Sequence, residues 1–252
     1  MGALHEGHLS LIKHSIKSCN HTIVSIFVNN RQFSPDEDFE KYPRSLEEDK
    51  IALKSLNVDI LFLPERGEIY PKNYSTYIEE NKLSIGLESS SRPHFFKGVL
   101  TVVLKLFNIV QPDVVFFGKK DIQQLRLVQK MILDLNLEID VISGETIREK
   151  NGLAMSSRNK YLSQQTFSDL KILYSSLVSA KKMIKNGEKA SQTIQSGIKK
   201  NLLKILNLEI DYIEITDSEN LKKTNVIDGD VIISLAVMVE GVRLIDNIEI
   251  SL

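Results

Sequence analysis

Apolar runs and helical apolar stripes alternate along the first 150 residues of the chain. Thr22–Val28 is nearly continuous apolar sequence and reads as a strand buried on both faces. Val58–Leu63, stopped by Pro64, Val114–Phe117 and Leu137–Ile142 have the same character. Between these runs the period changes. Leu9, Ile12 and Ile16 sit at helical spacing, and Ser45-Leu46-Glu47-Glu48 has the composition of a capping box opening a helix to about Leu56. Val99–Val110 is apolar almost all the way round, which predicts a buried helix ended before Pro112; Ile122–Leu135 is amphipathic. Ser34-Pro35-Asp36-Glu37 looks like a capped helical turn, and Glu65–Pro93 shows no regular period. Strand, helix, strand in this order predicts an α/β fold with a parallel sheet covered on both faces.

Beyond about Ile147 the pattern shifts. Ser163–Ile184 and Ala190–Leu206 read as lysine-rich helices separated at Asn186-Gly187. Ile210–Thr216, Val231–Met238 and Arg243–Ile248 read as strands of a smaller α+β unit. The expected division is therefore 1–147 and 148–252.

Composition narrows the function. The chain has 252 residues, a net charge of -1 and 26% charged residues, which argues against a general nucleic-acid binder needing clustered basic surface. A single cysteine excludes an intrachain disulfide framework and suits a reducing compartment. No apolar run approaches membrane-span length and the N-terminus lacks a signal-peptide pattern, so a cytoplasmic protein without membrane association is expected. A phosphate-binding loop normally follows a buried strand, and none precedes Met1 here, so a first strand is expected to be missing from this chain.

Four polar clusters fall at expected strand ends or loops. The first is Met1-Gly2-Ala3-Leu4-His5-Glu6-Gly7-His8, two glycines and two imidazoles leading into a helix. A helix N-terminus presents unpaired N–H groups and a partial positive charge, and residues three apart point to one side, which suits a triphosphate. A metal held by His5 and His8 ranks lower, because zinc wants a third protein ligand and none stands at ligand spacing. The others are Asn29 with Gln32, Lys120-Asp121 with Gln124, and Ser156-Ser157-Arg158. Each has a plainer reading: incidental histidines, a solvated Lys120, Asp121 or Ser157 as simple helix caps. Their joint placement at the ligand-binding edge of an open sheet points instead to adenylyl transfer, which needs cations and donors around the phosphoryl oxygens and an aligned acceptor. Gln32 and Gln124 are neutral amides able to orient a hydroxylated carboxylate. A nucleotidylyl transferase acting on a phosphorylated substrate and a non-catalytic binding protein remain alternatives.

The loop at 1–8 resembles the H-x-G-H class of nucleotidylyl transferases, and Met155–Arg158 resembles the M-S-K-S-type loop of class I aminoacyl-tRNA synthetases. S-I-F-V-N-x-x-Q-F at 25–33, Y-P-R at 42–44, L-F-N-I-V-Q-P-D at 106–113, F-G-x-K-D-x-Q-Q-L at 117–125, S-S-R-N-x-Y-L at 156–162 and R-L-I-D-N at 243–247 complete a set that resembles the pantoate–β-alanine ligase family. That resemblance implies a Rossmann-like domain over 1–147, a C-terminal lid domain over 148–252, and a homodimer. It implies condensation of pantoate with β-alanine through a pantoyl-adenylate, using ATP and Mg2+. It places Met1, Gly2, Ala3, Leu4, His5, Glu6, Gly7, His8, Gly118, Lys119, Lys120, Asp121, Ile147, Met155, Ser156, Ser157 and Arg158 at ATP. It puts Asn29, Gln32 and Gln124 at pantoate and β-alanine, and gives His8, Lys120, Ser157 and Arg158 catalytic roles; it leaves the metal ligands open. Lys119 stands where the family carries an acidic residue.

Overall fold

The computed structural model describes residues 2–33 and 43–252. Helix α1 (Glu6–Ser18) leads to strand β1 (Ile23–Ser25) and a 3-10 turn at Asn30–Gln32. Helix α2 (Leu46–Ser55) crosses back to β2 (Ile60–Phe62), which lies parallel to β1 with Ile23 opposite Ile60. Two short helices, α3 (Arg66–Ile69) and α4 (Glu88–Ser91), occupy part of the stretch expected to be irregular. Helix α5 (Phe95–Val110) precedes a second parallel pair, β3 (Val114–Gly118) and β4 (Asp140–Gly144), joined through α6 (Ile122–Asp134). Then follow α7 (Gln164–Asp169), α8 (Lys171–Lys185), α9 (Ser191–Leu202) and the strands β5 (Glu209–Asp217), β6 (Val231–Val239) and β7 (Val242–Ile250). These last three form an antiparallel sheet in the order β5-β6-β7, whose final hairpin closes on Glu240 and Gly241, both left-handed.

Two helices end by the same device. Asn57 and Asn136 adopt left-handed backbone just after α2 and α6, and the next amides, of Val58 and Leu137, reach back to the carbonyls of Leu53 and Ile132. This closure places an apolar residue on the helix it has just left. It explains why Leu137 and Ile139 pack with the α5–α6 core and β4 starts only at Asp140, later than the apolar run suggests.

The α/β class and the parallel pairing stand, but the expected single sheet is divided. Among the described residues β1 pairs only with β2 and β3 only with β4, and a cavity separates the two pairs. The first strand is accordingly not buried on both faces: Val24 is 1% exposed, yet Ile23 is 40% exposed. The capping box at Ser45 does not form either, because its hydroxyl donates to the Asp49 carboxylate instead of accepting from the helix. The turn expected at Ser34–Glu37 lies outside the described residues. The largest apolar core lies in the C-terminal portion, where Leu173, Leu177, Ile194 and Ile198 of α8 and α9 meet Ile215, Ile233 and Leu235 of the antiparallel sheet.

Candidate active site

The cavity has a volume of about 1580 Å3; it runs along β1 and β3 from the residues before them and reaches the edge where β1, β3 and β4 end. This is the edge at which an open parallel sheet collects ligands, because successive loops leave it there with their backbone groups free. His5, Gly7 and His8 line it from α1, Asn29 and Gln32 from the turn after β1, Gly118, Lys120, Asp121 and Gln124 from the loop and helix after β3. Ile147, Met155, Ser156, Ser157 and Arg158 line it from the segment beyond β4. All four polar clusters singled out in the sequence thus meet around one space.

The loop before α1 is organised differently from the expectation of free amides. Helix α1 begins at Glu6, and His5 is its N-cap, with Nδ1 accepting from the Gly7 amide at 3.2 Å. That bond leaves the His5 proton on Nε2 when the ring is neutral. The Asp49 carboxylate, 2% exposed, accepts from the amides of Ala3 (2.9 Å) and Leu4 (2.7 Å), and the His8 amide donates to the His5 carbonyl. Ala3 holds a left-handed conformation (φ 48°), a cost of about 1 kcal/mol that the two bonds to Asp49 offset. The amides of Ala3, Leu4, Gly7 and His8 are therefore engaged within the protein, and the imidazoles are what this loop turns to a ligand. Gly7 is required locally: a Cβ there would come 2.9 Å from the His5 ring.

His5 and His8 rings lie 4.0 Å apart. Burial, the neighbouring His5 ring and the charge of Lys120 push His8 down to about 2, so it is neutral at physiological pH; burial and Lys120 lower His5 as well. His8 Nδ1 is buried without a hydrogen-bond partner among the described residues. An orphaned imidazole nitrogen beside a lysine is poised to meet an anion, whose arrival raises the ring's basicity.

Lys120, 23% exposed at its side chain, has Nζ 3.9 Å from Asp121. Asp121 is the N-cap of α6 by position but makes no capping hydrogen bond with its side chain. In the other loop the cap is Ser156, which accepts from the Arg158 amide at 3.3 Å, so the plain-cap reading falls on Ser156 and not on Ser157. Two residues expected at ATP turn away. Lys119 pairs with Glu145 (2.5 Å) and Glu249 (3.2 Å), bonds that raise its basicity, and it does not line the cavity. Glu6 pairs with Lys13 on the exposed side of α1. Gly2 and Ala3 are buried beneath the loop and Leu4 packs in the α1–α2 core; Met1 lies outside the described residues.

Asn29 is 2% exposed and fully engaged. Its Oδ1 accepts from the Tyr70 hydroxyl (2.9 Å) and the Arg31 amide, and its Nδ2 donates to the Gly98 carbonyl (3.1 Å) and Gln32 Oε1 (3.3 Å). Gln32 is thereby held with its own Nε2 as the remaining donor. Burial pushes the Tyr70 phenol up to about 12, which keeps it a donor. Arg92 Nη2 donates to the Gln32 carbonyl at 3.0 Å and fixes the same turn from α4's end. Asp49 and Tyr70 carried no signal in the sequence, since each acts through a partner dozens of residues away.

Comparison with known proteins agrees with this geometry. The model of the pantoate-beta-alanine ligase family matches residues 1–249. The pantothenate synthetase of Fervidobacterium nodosum is 50% identical over 254 residues, covering 100% of this chain and 89% of the relative. The crystal structure of the Thermus thermophilus enzyme superposes with a TM-score of 0.95 at 37% identity, covering 100% of this chain and 91% of that one. A pantoate-beta-alanine ligase from Francisella tularensis, solved as a complex with beta-gamma ATP and beta-alanine, gives a TM-score of 0.79 at 34% identity over 99% of this chain and 87% of its own. Family match, relatives and fold together establish that this chain belongs to the pantoate–β-alanine ligase family.

Proposed function

We propose that the cavity joins pantoate to β-alanine in two steps that share one site. A pantoate carboxylate oxygen attacks the α-phosphorus of ATP, the bond to the pyrophosphate oxygen breaks, and pantoyl-adenylate remains. The β-alanine amine then attacks the acyl carbon, the acyl–oxygen bond to AMP breaks, and the amine gives up its proton as the amide forms. The observation that carries this reading is the joint lining of one cavity: His5, His8, Lys120 and the Ser156–Arg158 segment share it with the neutral amides Gln32 and Gln124.

Charge accumulates on the phosphoryl oxygens in the first step, and preorganised donors there are worth a few kcal/mol of barrier each. Lys120 and Arg158 supply positive charge, Ser157 a hydroxyl, and His8 a neutral ring whose basicity an arriving phosphate raises. Gly118, Asp121, Ile147 and Met155 frame the nucleotide. Gln32 and Gln124 orient the pantoate and leave its carboxylate unneutralised and nucleophilic. Asn29 supports Gln32 from behind.

Among the described residues no group of three or more His, Cys, Asp or Glu converges as a metal cage. Mg2+ does not need one, since it keeps waters and phosphate oxygens and takes one or two carboxylates. Asp121, beside Lys120 on the cavity wall, fits that role. A magnesium ion arriving with ATP supplies further neutralisation of the triphosphate. A lid function for 148–252 closing on 1–147, a homodimer and a cytoplasmic setting belong to the same reading; among the described residues no helix is long and apolar enough to cross a membrane.

Pyrophosphate release from ATP, Mg2+ and D-pantoate tests it. A single burst that becomes steady turnover when β-alanine is added is the expected result. Release that needs no pantoate, or none from folded protein under any condition, overturns it.

A further inference from the structure

The motif R-L-I-D-N at 243–247 has no role in the reaction as described, yet it lies on β7 against both loops that line the phosphate side of the cavity. Asn247, 7% exposed, directs Nδ2 at the backbone carbonyls of Lys119 (3.0 Å) and Lys120 (2.8 Å). Both partners only accept, so the amide orientation is fixed by chemistry, and each of its two N–H groups has a carbonyl. Asp246, 2% exposed, takes the Arg148 guanidinium as a two-pronged pair at 2.7 and 2.9 Å. Arg148 in turn holds the Gly152 carbonyl (3.2 Å), and its segment closes on itself through the Met155 amide donating to the Ile147 carbonyl (3.0 Å). The Asn247 backbone amide donates to Asp246 Oδ1 at 2.8 Å, which fixes the carboxylate against its own strand.

Lys120 on one loop, and Ile147 with Met155–Arg158 on the other, reach the cavity from separate stretches of chain. One dipeptide on a paired strand holds both, the first by its backbone carbonyls and the second through the Arg148 side chain. We propose that Asp246 and Asn247 are positioning residues: they set the spacing of the two loops around the nucleotide and so govern ATP binding and adenylation, while leaving amide formation alone. This rests on the reaction assigned above, but its readout does not depend on turnover. The bidentate geometry of Arg148–Asp246 and the double donation of Asn247 are specific in direction as well as distance, which a generic packing contact would not require.

The test uses the full chain and the variants Asn247→Ala, Asn247→Ser and Arg148→Lys. Calorimetry gives the affinity for ATP with Mg2+. A second assay follows amide formation from supplied pantoyl-adenylate and β-alanine, and thermal unfolding is recorded alongside. The expected result is ATP affinity weakened at least tenfold in Asn247→Ala, less in Asn247→Ser, whose hydroxyl restores one donor, and weakened in Arg148→Lys, which keeps charge but loses the fork. Amide formation from the adenylate stays within about threefold, and the melting temperature moves little. Unchanged ATP affinity in Asn247→Ala overturns the proposal. So does a loss of affinity that follows a large fall in melting temperature and an equal loss of amide formation, since the pair would then be a structural strut. If unsubstituted protein binds ATP but never releases pyrophosphate, the ligase mechanism fails while ATP affinity still decides the role of the pair.

Discussion

The two parallel strand pairs and the C-terminal antiparallel sheet are built to different standards of packing. Every residue of β3 is only half-buried, whereas all of β6 except Met238 is buried. The difference follows from what lies beside each strand. β6 is flanked by β5 and β7 and covered by α8 and α9; β3 has a partner on one edge and the cavity on the other. Close packing excludes ligand, and a site must leave space, unpaired polar atoms and titratable groups held away from their preferred charge. At the cavity they meet in His8, whose Nδ1 is buried without a partner among the described residues and whose basicity burial lowers. The tightly packed half contributes to the site through its polar edge, by the Arg243, Asp246 and Asn247 side chains.

That contrast is broken most directly by truncating a side chain in each region. Leu177 is fully buried in the C-terminal core, so Leu177→Ala is expected to cost about 3–4 kcal/mol in urea unfolding. Val115 packs on the α5–α6 core but is only half-buried, and Val115→Ala should cost about 1 kcal/mol, because only part of its surface is removed from water. Equal penalties for the two would mean that stability is spread evenly and the comparison is wrong.

Gly98 sharpens it from the other side. Replacing a helical glycine by alanine ordinarily stabilises by about 0.5–1 kcal/mol. Here a Cβ would stand 2.2 Å from the Arg31 carbonyl oxygen, and the Gly98 carbonyl is the acceptor for Asn29. Gly98→Ala should therefore push the Asn30–Gln32 turn off α5. The expected outcome is a rise in KM for pantoate with kcat/KM down at least tenfold, and a melting temperature lowered by only a few degrees. Unaltered pantoate kinetics would show that the seat of this turn does not set the position of Gln32.

How much of this could be read from the chain differs between the two halves for the same physical reason. Helices α5, α6 and α8 and the last three strands announced themselves by period, since burial on a defined face imposes one. Two of the four polar clusters, Asn29 with Gln32 and Lys120-Asp121 with Gln124, were legible because each sits just past an apolar run; the other two were legible by their motifs. What the sequence concealed were the groups that work through distant partners. Asp49 captures amides 45 and 46 residues earlier, and Tyr70 bonds Asn29 across 41 residues. No local pattern encodes such a pair. The apolar composition of β1 suits a strand with neighbours on both edges, and it does not by itself tell that one edge faces the cavity. Nothing local told which of two adjacent lysines faces the cavity; Glu145 and Glu249 draw Lys119 outward.

The smallest expected effect is electrostatic and belongs to the looser half. His8 titrates near its ordinary 6.5 in the unfolded chain and is pushed down to about 2 in the folded one. The unfolded chain therefore binds a proton that the folded protein refuses. Stability linked to His8 is complete above pH 6.5 and declines as pH falls below it, continuing toward the folded value of about 2. His8→Gln removes the titration and keeps a neutral polar side chain. From pH 7.5 to pH 5 the unsubstituted protein should lose about 1 kcal/mol more stability than the variant, an amount below the full linkage figure because the ring borders an open cavity. Parallel stability profiles over that range would mean that His8 protonates in place without penalty. The imidazole would then meet ATP already charged, and the neutral ring assigned to the adenylation step would have to be abandoned.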